Sequence, residues 1–131
     1  ASVSVPFFTI VLRKGYGLGA QAMAGGSFKA PFFAVAWPTG ELGGMGLEGA
    51  VKLGYRKELA AIEEPEARRE LFDEMVARMY RHGKAVNTAS HLELEDVIDP
   101  IGARHWITNG LRSIPRREPT AGKKRPCIDT W

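Results

Sequence analysis

Two continuous apolar runs, Phe7 to Leu12 (FFTIVL) and Phe32 to Trp37 (FFAVAW), dominate the first third of the chain. Both are rich in aromatic and β-branched side chains and lack an alternating polar face, the pattern of strands covered on both sides. The first is therefore expected to be an interior strand. Between them Gly15, Gly17 and Gly19 alternate with Tyr16 and Leu18, and Ala20 to Ala24 resumes a helical run of small residues. Strand, tight glycine turn, short helix and strand make one winding of a layered α/β arrangement.

Further along, Gly43, Gly44, Gly46 and Gly49 surround Met45 and Leu47, and a helix is expected to open near Ala50. Residues 55–64 are helical in composition. At Pro65 a longer helix starts, with acidic residues at its positive end and Gly83 after its last turn. Its apolar face is Leu71, Phe72, Met75, Val76, Met79 and Tyr80, with Glu74 and Arg78 as an outer i, i+4 pair; this helix is read as packing, without chemistry. Val97-Ile98 reads as a brief strand. Asp99 then caps a helix with Pro100 in its first turn and a face of Ala103, Ile107, Leu111 and Ile114.

Composition changes this picture little. The chain has 131 residues, 44% of them hydrophobic and 25% charged, enough for one core. Its net charge of +3 lies wholly after Pro115, where five basic residues face two acidic ones, so the body is neutral and a nucleic-acid surface on it is disfavoured. The expected organisation is a domain over 1–115 and a basic, proline-interrupted tail over 116–131. Cys127 is single and lies in that tail, which suits a reducing compartment. No apolar run approaches the roughly 20 residues that cross a bilayer. An initial Ala1 and an interior-type strand within the first ten residues lead us to expect a piece of a larger protein.

The glycine turn is the candidate site. Unpaired backbone N–H groups at the head of a helix suit a phosphate, a carboxylate or a transient oxyanion, and the residues alone leave that choice open. Gly17-x-Gly19-x-x-Ala22, with Glu41 downstream, matches a relaxed dinucleotide fingerprint. That reading is weakened by Arg13 and Lys14 before the turn, by the short helix, and by the lack of further βαβ units. His82, His91 and His105 have no zinc-ligand spacing, and no Gly-x-Ser-x-Gly elbow is present, so neither a metal nor a serine nucleophile is expected.

Taken with their spacing, five segments resemble the C-terminal half of the carboxyltransferase (β) subunit of biotin-dependent acyl-CoA carboxylases, such as the propionyl-CoA enzymes. They are Val11-Leu12-Arg13-Lys14-Gly15-Tyr16-Gly17, Ala36-Trp37-Pro38-Thr39, Met45-Gly46-Leu47-Glu48-Gly49-Ala50-Val51, Tyr55-Arg56-Lys57-Glu58-Leu59 and Asp96-Val97-Ile98-Asp99-Pro100. The resemblance implies a crotonase-like ββα spiral whose active site forms against the N-terminal carboxyltransferase domain of a neighbouring protomer. It further implies transfer of a carboxyl group from carboxybiotin to the α carbon of an acyl-CoA. The N–H groups of Leu18 and Gly19 would stabilise charge on the biotin ureido oxygen, with Gly17, Ala20, Gln21, Met45 and Gly46 around the biotin and substrate. Gln21 falls where the family discriminates acyl chains, and is equally readable as an ordinary helix residue.

The same resemblance implies biotin on a carrier protein or domain, no metal in this domain, biotin carboxylase and biotin carboxyl carrier partners, and a dimer-based homo-oligomer, a hexamer in the family. A bacterial cytoplasm is expected rather than a mitochondrial matrix. Leu18 replaces a frequent family glycine; the linker Gly25-Gly26-Ser27-Phe28-Lys29 and a longer tail after Pro115 also depart from the family pattern, and these two suggest a single-chain, broad or long-chain branch. The alternatives are a decarboxylating relative and a non-catalytic assembly domain.

Overall fold

The structure, a computed structural model, describes residues 5–115. The expected tail over 116–131, with Cys127, lies outside the described residues. Two parallel sheets organise the rest. Strands β1 (Phe8–Val11), β3 (Phe33–Ala36) and β5 (Asp96–Val97) form one, in the order β1-β3-β5; β2 (Lys14–Tyr16) and β4 (Glu41–Gly43) form the other. Helices α1 (Gly17–Met23), α2 (Leu47–Gly54), α3 (Arg56–Ala60), α4 (Pro65–His82), α5 (Ala85–Ser90) and α6 (Ala103–Ser113) connect and cover them.

The second apolar run is the core strand. All four residues of β3 are buried, because β3 is paired on both edges and covered on both faces. Ala34 and Ala36 face a cluster with Val11, Leu42, Ala85 and Leu94; Phe33 and Val35 face Ile98, Phe8, Ile10, Trp37, Trp106 and Ile107. This division is the two-residue alternation of a strand. Fully burying a side chain such as Val35 contributes about 2 kcal/mol.

The first run departs from expectation. β1 is a four-residue strand bonded only to β3 among the described residues, Leu12 is half-exposed, and only Val11 is buried. An edge strand has a neighbouring strand on one side only, so its side chains are half rather than fully covered. Phe8 instead stacks on Phe33 with ring centroids 4.7 Å apart, and Phe32 meets Phe8 edge-on at 5.9 Å.

The helices follow their signals with shifted faces. α4 begins at Pro65 and ends before Gly83, but its apolar face is only half-buried, against α2 and α3. Arg78 reaches the Tyr55 hydroxyl (3.3 Å) rather than Glu74; the ion pair on this helix is Arg69–Asp73 at 3.8 Å. Helical structure in 55–64 is confined to α3. Asp99 does cap the next turn, its Oδ1 accepting from the Ile101 N–H (2.8 Å), and a 3-10 turn over Pro100–Gly102 leads into α6. There the inward positions are Ala103, Trp106, Ile107 and Gly110, while Leu111 is exposed. The bulky Phe8 and Phe33 rings lie where a side chain at Gly110 would stand, at 2.9 and 3.1 Å, so the helix approaches the sheet there.

Candidate functional site

The glycine turn is tighter than the sequence suggests. Gly15 belongs to β2 and Gly19 to α1, so the chain turns on one residue, Gly17, at φ +64°. β2 exists because it pairs in parallel with β4, Lys14 opposite Glu41, Gly15 opposite Leu42 and Tyr16 opposite Gly43. That contact spans residues far apart in sequence and leaves no local signal. A Cβ at Gly17 would stand 3.0 Å from the Gly44 carbonyl oxygen, so the two glycine segments meet backbone to backbone.

Tyr16 is the N-cap of α1 in extended conformation and makes no side-chain cap. The N–H groups of Leu18 and Gly19 therefore fall in the first turn, where no intrahelical acceptor exists, and no other acceptor engages them among the described residues. The Leu18 side chain is 81% exposed, and open space surrounds the Cβ position of Gly19.

A cleft of about 530 Å³ opens beside this corner. Its near wall is Gly17, Leu18 and Gln21, its floor Gly15, Leu42, Gly43 and Gly44, and Phe28 closes one side. Of the residues expected at the site, Gly17, Leu18 and Gln21 line the cleft together. Gly19, Ala20, Met45 and Gly46 do not line it: Gly19 and Ala20 continue α1, and Gly46 turns away as the N-cap of α2.

The far wall escaped sequence reasoning. It comprises His82, Gly83, Asn87, Thr88, His91 and Glu93, from the end of α4 through α5. Two histidines with no ligand spacing thus share one cleft, while His105 lies in a second, aromatic pocket with Phe32, Phe33 and Trp106. The wall is held by β4: the Leu42 N–H donates to the Gly83 carbonyl (2.8 Å) and the Ala85 N–H to the Gly40 carbonyl (2.9 Å). A Cβ at Gly83 would stand 2.7 Å from the Leu42 oxygen, so only glycine lets α4 end so close. Asn87 Nδ2 donates to the carbonyls of Arg81 (2.9 Å) and His82 (3.0 Å), tying α5 to the last turn of α4. No local pattern announces this wall, since its only sequence mark is the glycine that ends α4.

Behind the floor, on the opposite face of the β2–β4 ribbon, lies a polar network. The Tyr16 hydroxyl donates to Glu41 Oε2 (3.1 Å), Lys14 Nζ to the Tyr80 hydroxyl (3.4 Å), and that hydroxyl to Glu48 Oε1 (2.6 Å). Burial, and then the Glu41 carboxylate, push the Tyr16 phenol far above its ordinary range. The Tyr80 hydrogen bond, and then its own backbone N–H, hold Glu48 below the usual carboxylate value. Among the described residues no group of three or more His, Cys, Asp or Glu side chains is arranged to hold a metal, and no helix is long and apolar enough to cross a membrane.

β1 and β3 lead into the parallel pair β2–β4, which feeds α1 and α2, and the structure shares its fold with the crotonase-like α/β domains of carboxyltransferases. Residues 1–125 match the carboxyl transferase domain family, and the chain belongs to it. It is 34% identical over 127 residues to the carboxyltransferase subunit of propionyl-CoA carboxylase from Haloferax mediterranei, covering 95% of this chain. Among solved structures it is 60% identical to a single-chain, multi-domain long-chain acyl-CoA carboxylase, with a TM-score of 0.69 over 81% of this chain and 10% of that one. It is 30% identical to a transcarboxylase 12S hexamer with methylmalonyl-CoA and methylmalonic acid bound, with a TM-score of 0.72 over 95% of this chain. The chain spans about a quarter of that Haloferax subunit and of the 12S chain, 24% of each.

Proposed function

We propose that this chain forms the biotin-facing half of a carboxyltransferase site that moves a carboxyl group onto the α carbon of an acyl-CoA. The observation that carries the reading is the first-turn amide of Leu18 at the rim of an open cleft, without a protein acceptor among the described residues, with the equally unpartnered amide of Gly19 next along α1 but outside the cleft lining. The lining suits the bicyclic ureido ring of biotin: Leu18, Phe28 and Leu42 offer apolar surface, and the nearby donors are backbone N–H groups suited to a urea oxygen. When bound, carboxybiotin would supply the carboxyl group and accept the α proton at the vacated ureido nitrogen, with negative charge developing on its ureido oxygen.

The amides of Leu18 and Gly19 act as preorganised donors to that oxygen, held in place because Gly17 is clamped against Gly44. Leu18, Phe28 and Leu42 exclude water from the ring, which strengthens those hydrogen bonds. Gln21 lines the same cleft and in this reading contacts the acyl chain, while Ala20, Met45 and Gly46 lie outside the cleft lining and act as neighbours of it. Because backbone groups donate, a leucine at position 18 is compatible with the role. In this reading residues 1–115 form the catalytic half-domain and 116–131 a tail. The acyl-CoA site comes from the N-terminal carboxyltransferase domain of a neighbouring protomer in a homo-oligomer, and biotin arrives on a carrier served by a biotin carboxylase, in a bacterial cytoplasm.

The test is to replace the Leu18 amide by an ester, which deletes one N–H and leaves the side chain. Proline is the poorer probe, since it restricts the preceding Gly17, which holds φ +64°. Turnover of the complete enzyme should fall on the order of a hundredfold, about 3 kcal/mol, while the KM for acyl-CoA stays constant. Unchanged turnover in a folded ester variant would leave the glycine corner a packing feature of an assembly domain.

A further inference from the structure

β4 is the strand on which both walls of the cleft depend. One of its edges carries β2 and hence the Gly17 corner; the other bonds Gly83 through Leu42, Glu41 forms an antiparallel bridge with Lys84, and Gly40 just before the strand bonds Ala85. Alternation directs Gly15 and Leu42 to the cleft, and Lys14, Tyr16 and Glu41 to the reverse face. On that reverse face the main-chain pairing ends at Tyr16–Gly43, one residue before the turn. From there to α1 the side chain that crosses between the two segments is Tyr16, whose hydroxyl reaches Glu41 at 3.1 Å.

From this geometry we propose that Tyr16 and Glu41 are positioning residues, their hydrogen bond setting the orientation of the Gly17–Gln21 wall relative to the cleft floor. Tyr16 is the residue on which α1 starts, so a restraint on its side chain restrains the first turn of the helix. α1 buries none of its own residues, and its C-cap Ala24 is buried at the far end, so core packing anchors the end of the helix rather than its first turn. The restraint is itself braced: Lys14, on the same face, ties through Tyr80 to Glu48, linking β2 to α4 and α2. Tyr16 remains protonated, and therefore a donor, throughout the neutral range, because burial and the carboxylate both disfavour its phenolate.

The proposal rests on the carboxyl-transfer reading for its catalytic consequence, but not for its structural one, and the experiment separates the two. The full-length protein that contains this chain is prepared with Tyr16→Phe, Glu41→Ala and Glu41→Gln. Hydrogen exchange of the unliganded protein is read on peptides covering residues 14–24 and, as control, 103–113. Tyr16→Phe and Glu41→Ala should speed exchange in 14–24 and leave 103–113 unchanged; Glu41→Gln keeps an acceptor and should restore protection.

Under carboxylation conditions the first two variants should lower kcat about tenfold with the KM for acyl-CoA within about twofold, since misaimed groups lose effect in the transition state. Glu41→Gln should retain most of kcat. Altered exchange in a protein that carries out no carboxyl transfer would retain the positioning role and overturn the functional reading. Unchanged exchange in Tyr16→Phe, or a Glu41→Gln variant as impaired as Glu41→Ala, would overturn the positioning role itself.

Discussion

Two glycines separated by a single residue should respond to the same substitution with opposite signs. Gly17 holds φ +64°, where an L side chain costs about 1 kcal/mol or more. A methyl group there would also stand 3.0 Å from the Gly44 carbonyl oxygen, a backbone atom that cannot rotate away. Against this, alanine narrows the unfolded ensemble by about 0.5 kcal/mol. Gly17→Ala should therefore destabilise by about 1 kcal/mol, with the Gly43–Gly44 segment displaced. Gly19 has no positive φ, and nothing stands within 4 Å of its Cβ position. It lies inside α1, so Gly19→Ala should stabilise by roughly 0.5 kcal/mol through helix propensity alone. Urea titration followed by tryptophan fluorescence reads the difference directly; at an m-value of about 2 kcal/mol/M the two midpoints separate by roughly 0.8 M. Midpoints displaced in the same direction would refute the claim that the chain turns on Gly17 alone.

Leu92 closes α5 in the left-handed conformation (φ +61°), with the Leu92 N–H bonded to the Ala89 carbonyl and the Glu93 N–H to that of Thr88, the bonding of a Schellman cap. Its side chain is 77% exposed, so Leu92→Gly relieves more strain than it loses in contacts and should stabilise by about 0.5 kcal/mol, read as a raised urea midpoint. Glu48 has its carboxyl held below the ordinary value by Tyr80, so its contribution to stability is present above the unfolded carboxylate pKa and lost as pH falls through the folded one. Glu48→Gln should accordingly be less stable than the parent at about pH 6, with the gap closing below about pH 4 in paired melting curves.

What was legible in the sequence was local. FAVA in β3 and the Asp99-Pro100 cap are read from adjacent residues, and both stand where the pattern places them. The errors fall where distant chain decides. β1 has as apolar a sequence as β3, but burial depends on how many partners a strand finds, and β1 finds one among the described residues. Leu111 fits a helical face by spacing, whereas Phe8 and Phe33 select the Gly110 side of α6 for close approach. Gly15 reads as a turn glycine until Leu42, far along the chain, pairs with it and makes it part of a strand. The near wall of the cleft was legible as a glycine turn, with the roles of Gly17, Leu18 and Gln21 coming from the family resemblance; the far wall, His82 to Glu93, had neither motif nor period.

That asymmetry between the walls has a chemical meaning. The near wall offers backbone, through the Leu18 amide without a partner among the described residues and a glycine corner, and a backbone donor is indifferent to most side-chain replacements at its own position. The far wall offers side chains on capped helix ends: Asn87 fixes the last carbonyls of α4, and the cap at Leu92 fixes His91 and Glu93 at the end of α5. Substitutions at 82, 88, 91 or 93 can change the shape and polarity of the cleft without moving the amides of Leu18 and Gly19, because β4 carries the two walls on separate edges. A fold built this way keeps the position of those amides while the space beside them is remodelled.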